Sequence, residues 1–163
     1  MVQGLTAVTF MREAYDVKKG DTVLIHTVAG GLGLLFAQYA KLRGATVIGT
    51  TSTKEKAEFA KKHGADHFIL YKDEDTAQRV SEITGGKGVE AVFDGVGKDT
   101  YASIRIDAPH KILTMHSLSS FDVSLKVLKR RGTFVAVGMA SGNVPPIDPV
   151  RLLEKNNKFI FPL

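Results

Sequence analysis

The stretch Asp21-Thr-Val-Leu-Ile-His-Thr-Val-Ala-Gly30-Gly31-Leu32-Gly33-Leu-Leu-Phe36 reads as a short apolar strand, a glycine-rich turn and the opening of an amphipathic helix. Glycine allows a tight turn and a close backbone approach to a ligand, and the helix N-terminus beyond it presents unpaired N–H groups to a phosphate. A second strand, Ala45-Thr-Val-Ile-Gly-Thr-Thr51, follows at the distance a βαβ unit needs. In that context the glycine motif predicts a dinucleotide site.

Outward from this unit the pattern repeats. Gln3 to Val17 has a helical period that ends at Lys18-Lys-Gly-Asp21. Strand one is expected over Thr22–His26, and a helix over Gly31–Arg43 that buries Leu34, Leu35, Ala37 and Leu42 and stops at Gly44. Strand two is expected over Thr46–Thr50. Ser52-Thr-Lys-Glu55 reads as a capping box opening a helix that closes at His63-Gly64. Strands at Asp66–Leu70 and Val89–Phe93 flank a helix over Asp75–Ile83 that Gly85-Gly86 ends. A helix over Phe121–Arg131 capped by Gly132, a strand at Thr133–Val137, a proline-rich loop over Gly142–Pro149 and a strand at Lys158–Phe161 complete the chain. Phe10, Phe36, Phe59, Phe93 and Phe134 fall at core spacings. This alternation predicts a Rossmann-type, doubly wound parallel sheet of six strands in three α/β/α layers, forming one dinucleotide-binding domain over residues 1–163.

Bulk properties narrow the class. The chain has 163 residues, 44% of them apolar and 24% charged, as expected for one globular domain. No apolar run reaches the ~18 residues of a membrane span, and the start lacks the layout of a signal peptide. With no cysteine there is no disulfide and no thiolate metal site. A cytoplasmic protein without a metal is the expectation. The net charge of +5 is spread over helix faces (Lys41, Arg43, Lys54, Lys56, Lys61, Lys62) and expected helix ends (Lys129, Arg130, Arg131). No basic-aromatic motif accompanies it, which argues against nucleic acid.

The cofactor type turns on the end of strand two. An NAD-specific fold places Asp or Glu about 20 residues beyond the glycine turn, to hold the ribose 2′-OH. Here stand Thr50, Thr51 and Ser52, with Lys54 and Lys56 just after. An ammonium attracts a 2′-phosphate that a carboxylate would repel, so NADPH is favoured over NADH. The plainer alternative leaves both lysines as ordinary helix-surface residues.

Gln3-Gly-Leu-Thr-Ala7, Val17-Lys-Lys-Gly-Asp21, Ala29-Gly-Gly-Leu-Gly33, Phe93-Asp-Gly-Val-Gly97 and Leu128-Lys-Arg-Arg-Gly132 occur in one order. Together they resemble the zeta-crystallin-like NADPH quinone oxidoreductases, the zinc-free branch of the medium-chain dehydrogenase/reductase superfamily. The resemblance implies hydride or electron transfer from NADPH to quinones or activated alkenes in a complete enzyme. It implies that Gly30, Gly31, Leu32 and Gly33 form the pyrophosphate turn and that Ser52 and Lys56 read the 2′-phosphate. Tyr71 matches a tyrosine near the adenosine ribose, and Val96 and Gly97 match the segment beside the cofactor. Two positions depart from the family pattern. Thr27 stands where Ala or Gly is usual, and Met139 falls in a run where an asparagine amide is common.

Family members carry a substrate lobe that has no counterpart here, so weak or absent turnover is expected of this chain alone. A non-catalytic or truncated nucleotide-binding fragment is the rival reading, and an enoyl or alkenal reductase domain is another. The last strand implies a homodimer edge. The chain also holds an extra stretch, residues 101–120, whose removal joins Thr100 to Phe121 as the family pattern expects. Two readings of it stand side by side. One is a surface insertion, which costs stability only slowly with length. The other is a retained intron, because Thr100 as ACG before Tyr101, Leu113-Thr114 as CTR-AC and Ser120 as AGY would supply donor, branch site and acceptor in phase.

Among the remaining polar residues, His26 beside the glycine turn is expected to be a satisfied structural histidine. His63 and His67 read as exposed cap residues, and His110 and His116 fall in the inserted stretch. Asp94 is expected to satisfy turn N–H groups, and no catalytic residue is assigned.

Overall fold

The computed structural model describes residues 2–96, 120–138, 140 and 148–162. The expectations for Gly97, Met139, the stretch 101–119 with His110 and His116, and residues 141–147 lie outside the described residues.

Six parallel strands form one sheet: β1 (Thr22–Ile25), β2 (Thr46–Thr51), β3 (His67–Leu70), β4 (Val89–Asp94), β5 (Leu128–Ala136) and β6 (Lys158–Ile160). Their spatial order is β3-β2-β1-β4-β5-β6, so the direction of winding reverses between β1 and β4. That order is the doubly wound dinucleotide fold expected from the alternation of strands and helices.

Period-two alternation divides the core between the two faces of this sheet. Val23 and Ile25 of β1, Val47 of β2, Ala91 and Phe93 of β4 and Val135 of β5 pack on one side. They meet α1 (Val2–Thr9) and α2 (Gly31–Leu42) through Ala7, Phe36, Ala37 and Ala40. The intervening Leu24, Ile48, Val92 and Phe134 point to the other side. There they meet α4 (Thr76–Thr84) and α5 (Ser120–Val127) through Ala77, Val80, Phe121 and Leu125. The remaining helix, α3 (Lys54–Lys62), joins the first face through Ala60. A π-helical turn, Phe10–Ala14, ends the first helix. Beyond it the Tyr15 hydroxyl donates to Asp21 Oδ2 at 3.0 Å.

Several boundaries differ from the sequence expectation, each for a local reason. On α2 the buried positions are Gly33, Phe36, Ala37 and Ala40, a clean i, i+3, i+4, i+7 stripe. Leu42 lies off that stripe and is 82% exposed, not buried, and Leu34 and Leu35 are only partly covered. Phe59 likewise faces outward on α3, where its ring packs at a tilt against His63. The α3 cap is Thr53, whose hydroxyl accepts from the Lys56 N–H at 3.3 Å, so the cap sits one residue later than Ser52 and the third position beyond it is a lysine, not the glutamate of a capping box.

The largest correction concerns Lys129–Arg131. The helix α5 ends at Val127 and the chain enters β5 at once. The register runs Val89↔Leu128 and then Ala91↔Thr133, so Lys129 to Gly132 bulge opposite Glu90 alone. Distant partners hold the bulge. Lys129 pairs with Glu90, and the Arg131 N–H reaches Lys155 O at 2.8 Å with Arg131 at φ +65°. Asn157 Nδ2 donates to Lys129 O at 2.8 Å. The three basic residues therefore sit in a strand and do not cap a helix.

Candidate functional site

The reversal between β1 and β4 opens a crevice at the carboxyl ends of these strands, the place where doubly wound sheets hold ligands. A cleft of about 530 Å³ lies there, walled by the Gly30–Gly33 turn, by Gly95 after β4 and by Val137, Gly138 and Ala140 after β5.

The turn is built by hydrogen bonds from its own backbone and from β2. The Val28 N–H donates to Thr50 O at 3.0 Å and the Gly30 N–H to Thr27 O at 2.9 Å. Thr27 takes φ +52°, in the left-handed region that β-branched residues resist. Its N–H donates to Thr50 Oγ1 at 3.3 Å and its hydroxyl to His26 O at 2.7 Å. Gly33 permits the helix to seat on this turn: a Cβ there would lie 2.6 Å from Thr27 O and 2.8 Å from Val28 O. Gly49 on β2 makes room in the same way, because a Cβ would meet Val28 Cγ1 at 2.3 Å. Gly31 rests against the Gln3 side chain of α1.

Ser52, Lys56 and Tyr71 gather at the neighbouring ends of β2 and β3. The Tyr71 N–H donates to Thr51 O at 3.2 Å, which sets it beside Ser52. Lys56 and Tyr71 are exposed. No hydrogen bond or ion pair to the described residues occupies the Ser52 hydroxyl or the Lys56 ammonium. The nearest acid in sequence, Glu55, is held below the usual carboxylate range by its own backbone N–H and by Thr53, so it stays ionised next to the α3 cap. Val96 is partly covered, and its N–H donates to Asp94 Oδ1 at 2.9 Å, as expected for a strand-end aspartate.

Behind the turn lies a buried polar group. His26 places Nδ1 3.2 Å from Thr50 Oγ1 and Nε2 2.8 Å from Ser124 Oγ, so it is the satisfied structural histidine that its position suggested. Burial pushes its pKa below 6.5, against a smaller upward pull from Asp94. Asp94 is itself buried, and its Oδ2 has no hydrogen-bond partner among the described residues. His63 and His67 do lie at the surface side of α3 and β3, His63 Nδ1–H donating to Phe59 O at 2.8 Å. Among the described residues, no group of three or more His, Cys, Asp or Glu is placed to hold a metal ion.

The sequence singles out the glycines, and it sets Thr50 at the cofactor end of strand two and Gln3 in a motif, but it does not show the Thr50 bonds to His26 and Thr27, the Gln3 contact with Gly31, or the parts of Ser124 and Gly49. Ser124 reaches His26 across 98 residues and leaves no local signal. Gly49 did leave one, as an isolated glycine inside a strand, which marks a close approach.

Residues 31–109 match the sequence profile of the family described as Zinc-binding dehydrogenase. The chain is 44% identical over 154 residues to the 2-haloacrylate reductase of a Burkholderia species, covering 94% of this chain and 39% of that protein. It is 37% identical over 159 residues to quinone oxidoreductase 1 of Escherichia coli, covering 98% of this chain and 42% of the relative. Among solved structures it matches a Pseudomonas syringae quinone oxidoreductase with a TM-score of 0.84 at 38% identity, covering all of this chain and 44% of the other. It also matches the Escherichia coli quinone oxidoreductase complexed with NADPH, with a TM-score of 0.83 at 36% identity over 100% and 44% of the two chains. The chain thus spans about two-fifths of the length of these relatives.

Proposed function

The chain belongs to the quinone oxidoreductase-like branch of the medium-chain dehydrogenase/reductase superfamily, and on that premise we propose that it is the NADPH-binding domain of such a reductase. The observation that carries this is the glycine turn itself. It sits at the switch point of the sheet, with Gly33 admitting the helix so closely that a side chain there would strike backbone. Gly30, Gly31, Leu32 and Gly33 would hold the pyrophosphate, through backbone N–H groups at the start of α2. Ser52 and Lys56 would hold the 2′-phosphate. The absence of a carboxylate on residues 50–53 and a Lys56 ammonium with no ion pair among the described residues support the phosphorylated cofactor over NADH. Tyr71 would lie near the adenosine ribose, and Val96 beside the cofactor.

When bound, the cofactor supplies a hydride. The chain's own residues bind and orient it and exclude water from one side of the crevice. Substrates of the whole protein would be small quinones or activated alkenes. The 2-haloacrylate reductase relative favours the alkene, whose double bond is polarised for hydride addition.

No described helix is long and apolar enough to cross a membrane, which together with a cysteine-free sequence supports placement in the cytoplasm. Among the described residues the β6 strand pairs only with β5 and leaves its other edge open, which supports a homodimer formed there. Calorimetric titration with NADPH and NADH tests the reading. Micromolar NADPH binding with much weaker NADH binding is the expected result, and equal affinity or none overturns it.

A further inference from the structure

The polar group behind the turn is not needed to contact a nucleotide, yet it joins four elements. Thr50 and Ser124 are buried on β2 and α5, and His26 is buried at the end of β1. Thr50 Oγ1 already accepts the Thr27 N–H. A hydroxyl carries one proton, so the bonds around His26 run one way or the other with its tautomer. With the Thr50 proton on Nδ1 and the Nε2 proton on Ser124, the Thr27 N–H is the one donor to Thr50 Oγ1, and the Ser124 proton is the one left without an acceptor in the group. In the other tautomer Thr50 Oγ1 is shared between Nδ1–H and the Thr27 N–H, and the Thr50 proton is the one left over, so the bond that holds Thr27 is undivided only in the first.

We propose that His26 is a positioning residue of the glycine turn. As a neutral imidazole protonated on Nε2, it relays one chain of hydrogen bonds from the Thr27 N–H through Thr50 to Ser124 on α5. The relay fixes the positive-φ residue from which the turn departs, and so the direction of the Gly30–Gly33 amides. The role rests on the dinucleotide reading of that turn.

Protonation would break the relay. A second proton makes Nδ1 a donor, which then competes with the Thr27 N–H for Thr50 Oγ1. Thr50 and Ser124 do not titrate in this range. Asp94 on β4 is the charged group among the described residues that acts on the ring, and it favours protonation. Burial opposes it more strongly, and the ring stays neutral at neutral pH.

The test uses the full chain and two readouts. Nitrogen-15 NMR of the free protein should show the Nε2–H tautomer for His26, with a titration midpoint below the ordinary 6.5 of an imidazole. A dominant Nδ1–H tautomer, or a midpoint at or above 6.5, overturns the proposal. NADP+ titrations at pH 7.5 and pH 5 then compare the wild type with His26→Asn, whose amide oxygen accepts the Thr50 proton and does not titrate. The 2′-phosphate titrates equally in both experiments and cancels. The wild type should lose about tenfold more affinity than His26→Asn on acidification, the scale of one compromised hydrogen bond. At pH 7.5 His26→Asn should recover most of the affinity that His26→Leu loses. Parallel pH profiles overturn the relay. No NADP+ binding by the wild type at pH 7.5 would instead overturn the dinucleotide reading, while the tautomer measurement still decides the state of His26.

Discussion

Replacing Gly33 by alanine isolates the geometry on which the site depends. The added methyl would face Thr27 O at 2.6 Å and Val28 Cα and O at 2.8 Å. Ordinary contact begins near 3.4 Å, leaving a shortfall of about 0.8 Å against atoms that are all backbone. No rotamer change relieves it, so the first turn of α2 must lift from the Thr27–Val28 segment. Overpacking of this kind costs about 1–3 kcal/mol. Alanine returns up to ~1 kcal/mol of helix propensity, and the net loss should be about 1–2 kcal/mol. For a chain of this size that lowers the Tm by roughly 2–8 °C. Displaced amides also lose charge-assisted hydrogen bonds to phosphate, each worth about 1.5–3 kcal/mol, so NADPH affinity should fall by roughly 10- to 100-fold. Thermal melts and nucleotide fluorescence titrations read the two effects. Gly4→Ala is the control, since a Cβ there meets nothing within 4 Å and should raise stability slightly. A Gly33→Ala protein that melts and binds like the wild type would refute the close-approach argument.

Lys56→Ala should weaken NADPH by about tenfold, the scale of one charge-assisted bond, while leaving NADH unchanged; paired calorimetric titrations check this ratio. Gly49→Ala should cost about 1–3 kcal/mol in urea unfolding, because its Cβ would collide with both the Cβ and the Cγ atoms of buried Val28. The folded protein holds His26 below the 6.5 of an unfolded chain. The unfolded state therefore binds more protons between those two values, and the His26 contribution, full above pH 6.5, is lost as pH falls through the folded value. Urea midpoints measured from pH 7.5 to pH 5 should decline less in His26→Asn than in the wild type. Ile160→Lys, on the open edge of the sheet, should shift sedimentation from dimer to monomer if copies join along β6.

Much of the fold was legible because its signals are local. The glycine turn, the Asp75 cap and the left-handed Gly85 each announce a boundary within a few residues. The exposed Leu42 was legible too, had small residues been given weight: Gly33, Ala37 and Ala40 with Phe36 define the buried stripe, and a leucine off it has no core to enter. The β5 bulge was not legible. Lys129–Arg131 look like a basic helix end, and only Glu90, Lys155 and Asn157, all distant in sequence, turn them into strand. The site divided the same way. Glycines record their own close approaches, whereas the His26–Ser124 bond depends on how β1 and α5 are brought together.

The seam between β1 and β4 also has a bearing on how the chain folds. Val23 pairs with Ala91, so the central ladder joins strands separated by two complete βα units. Such distant pairing is slow to form, because the entropy of closing the intervening chain is lost before any contact repays it. The crevice exists only after that ladder has zipped. A nucleotide that binds there would act as a clasp on the last-closing part of the sheet, adding ~2.7 kcal/mol at a hundredfold excess over its Kd. It would slow the parting of the two halves and leave their separate assembly untouched. Unfolding rates, more than refolding rates, should carry the mark of the ligand.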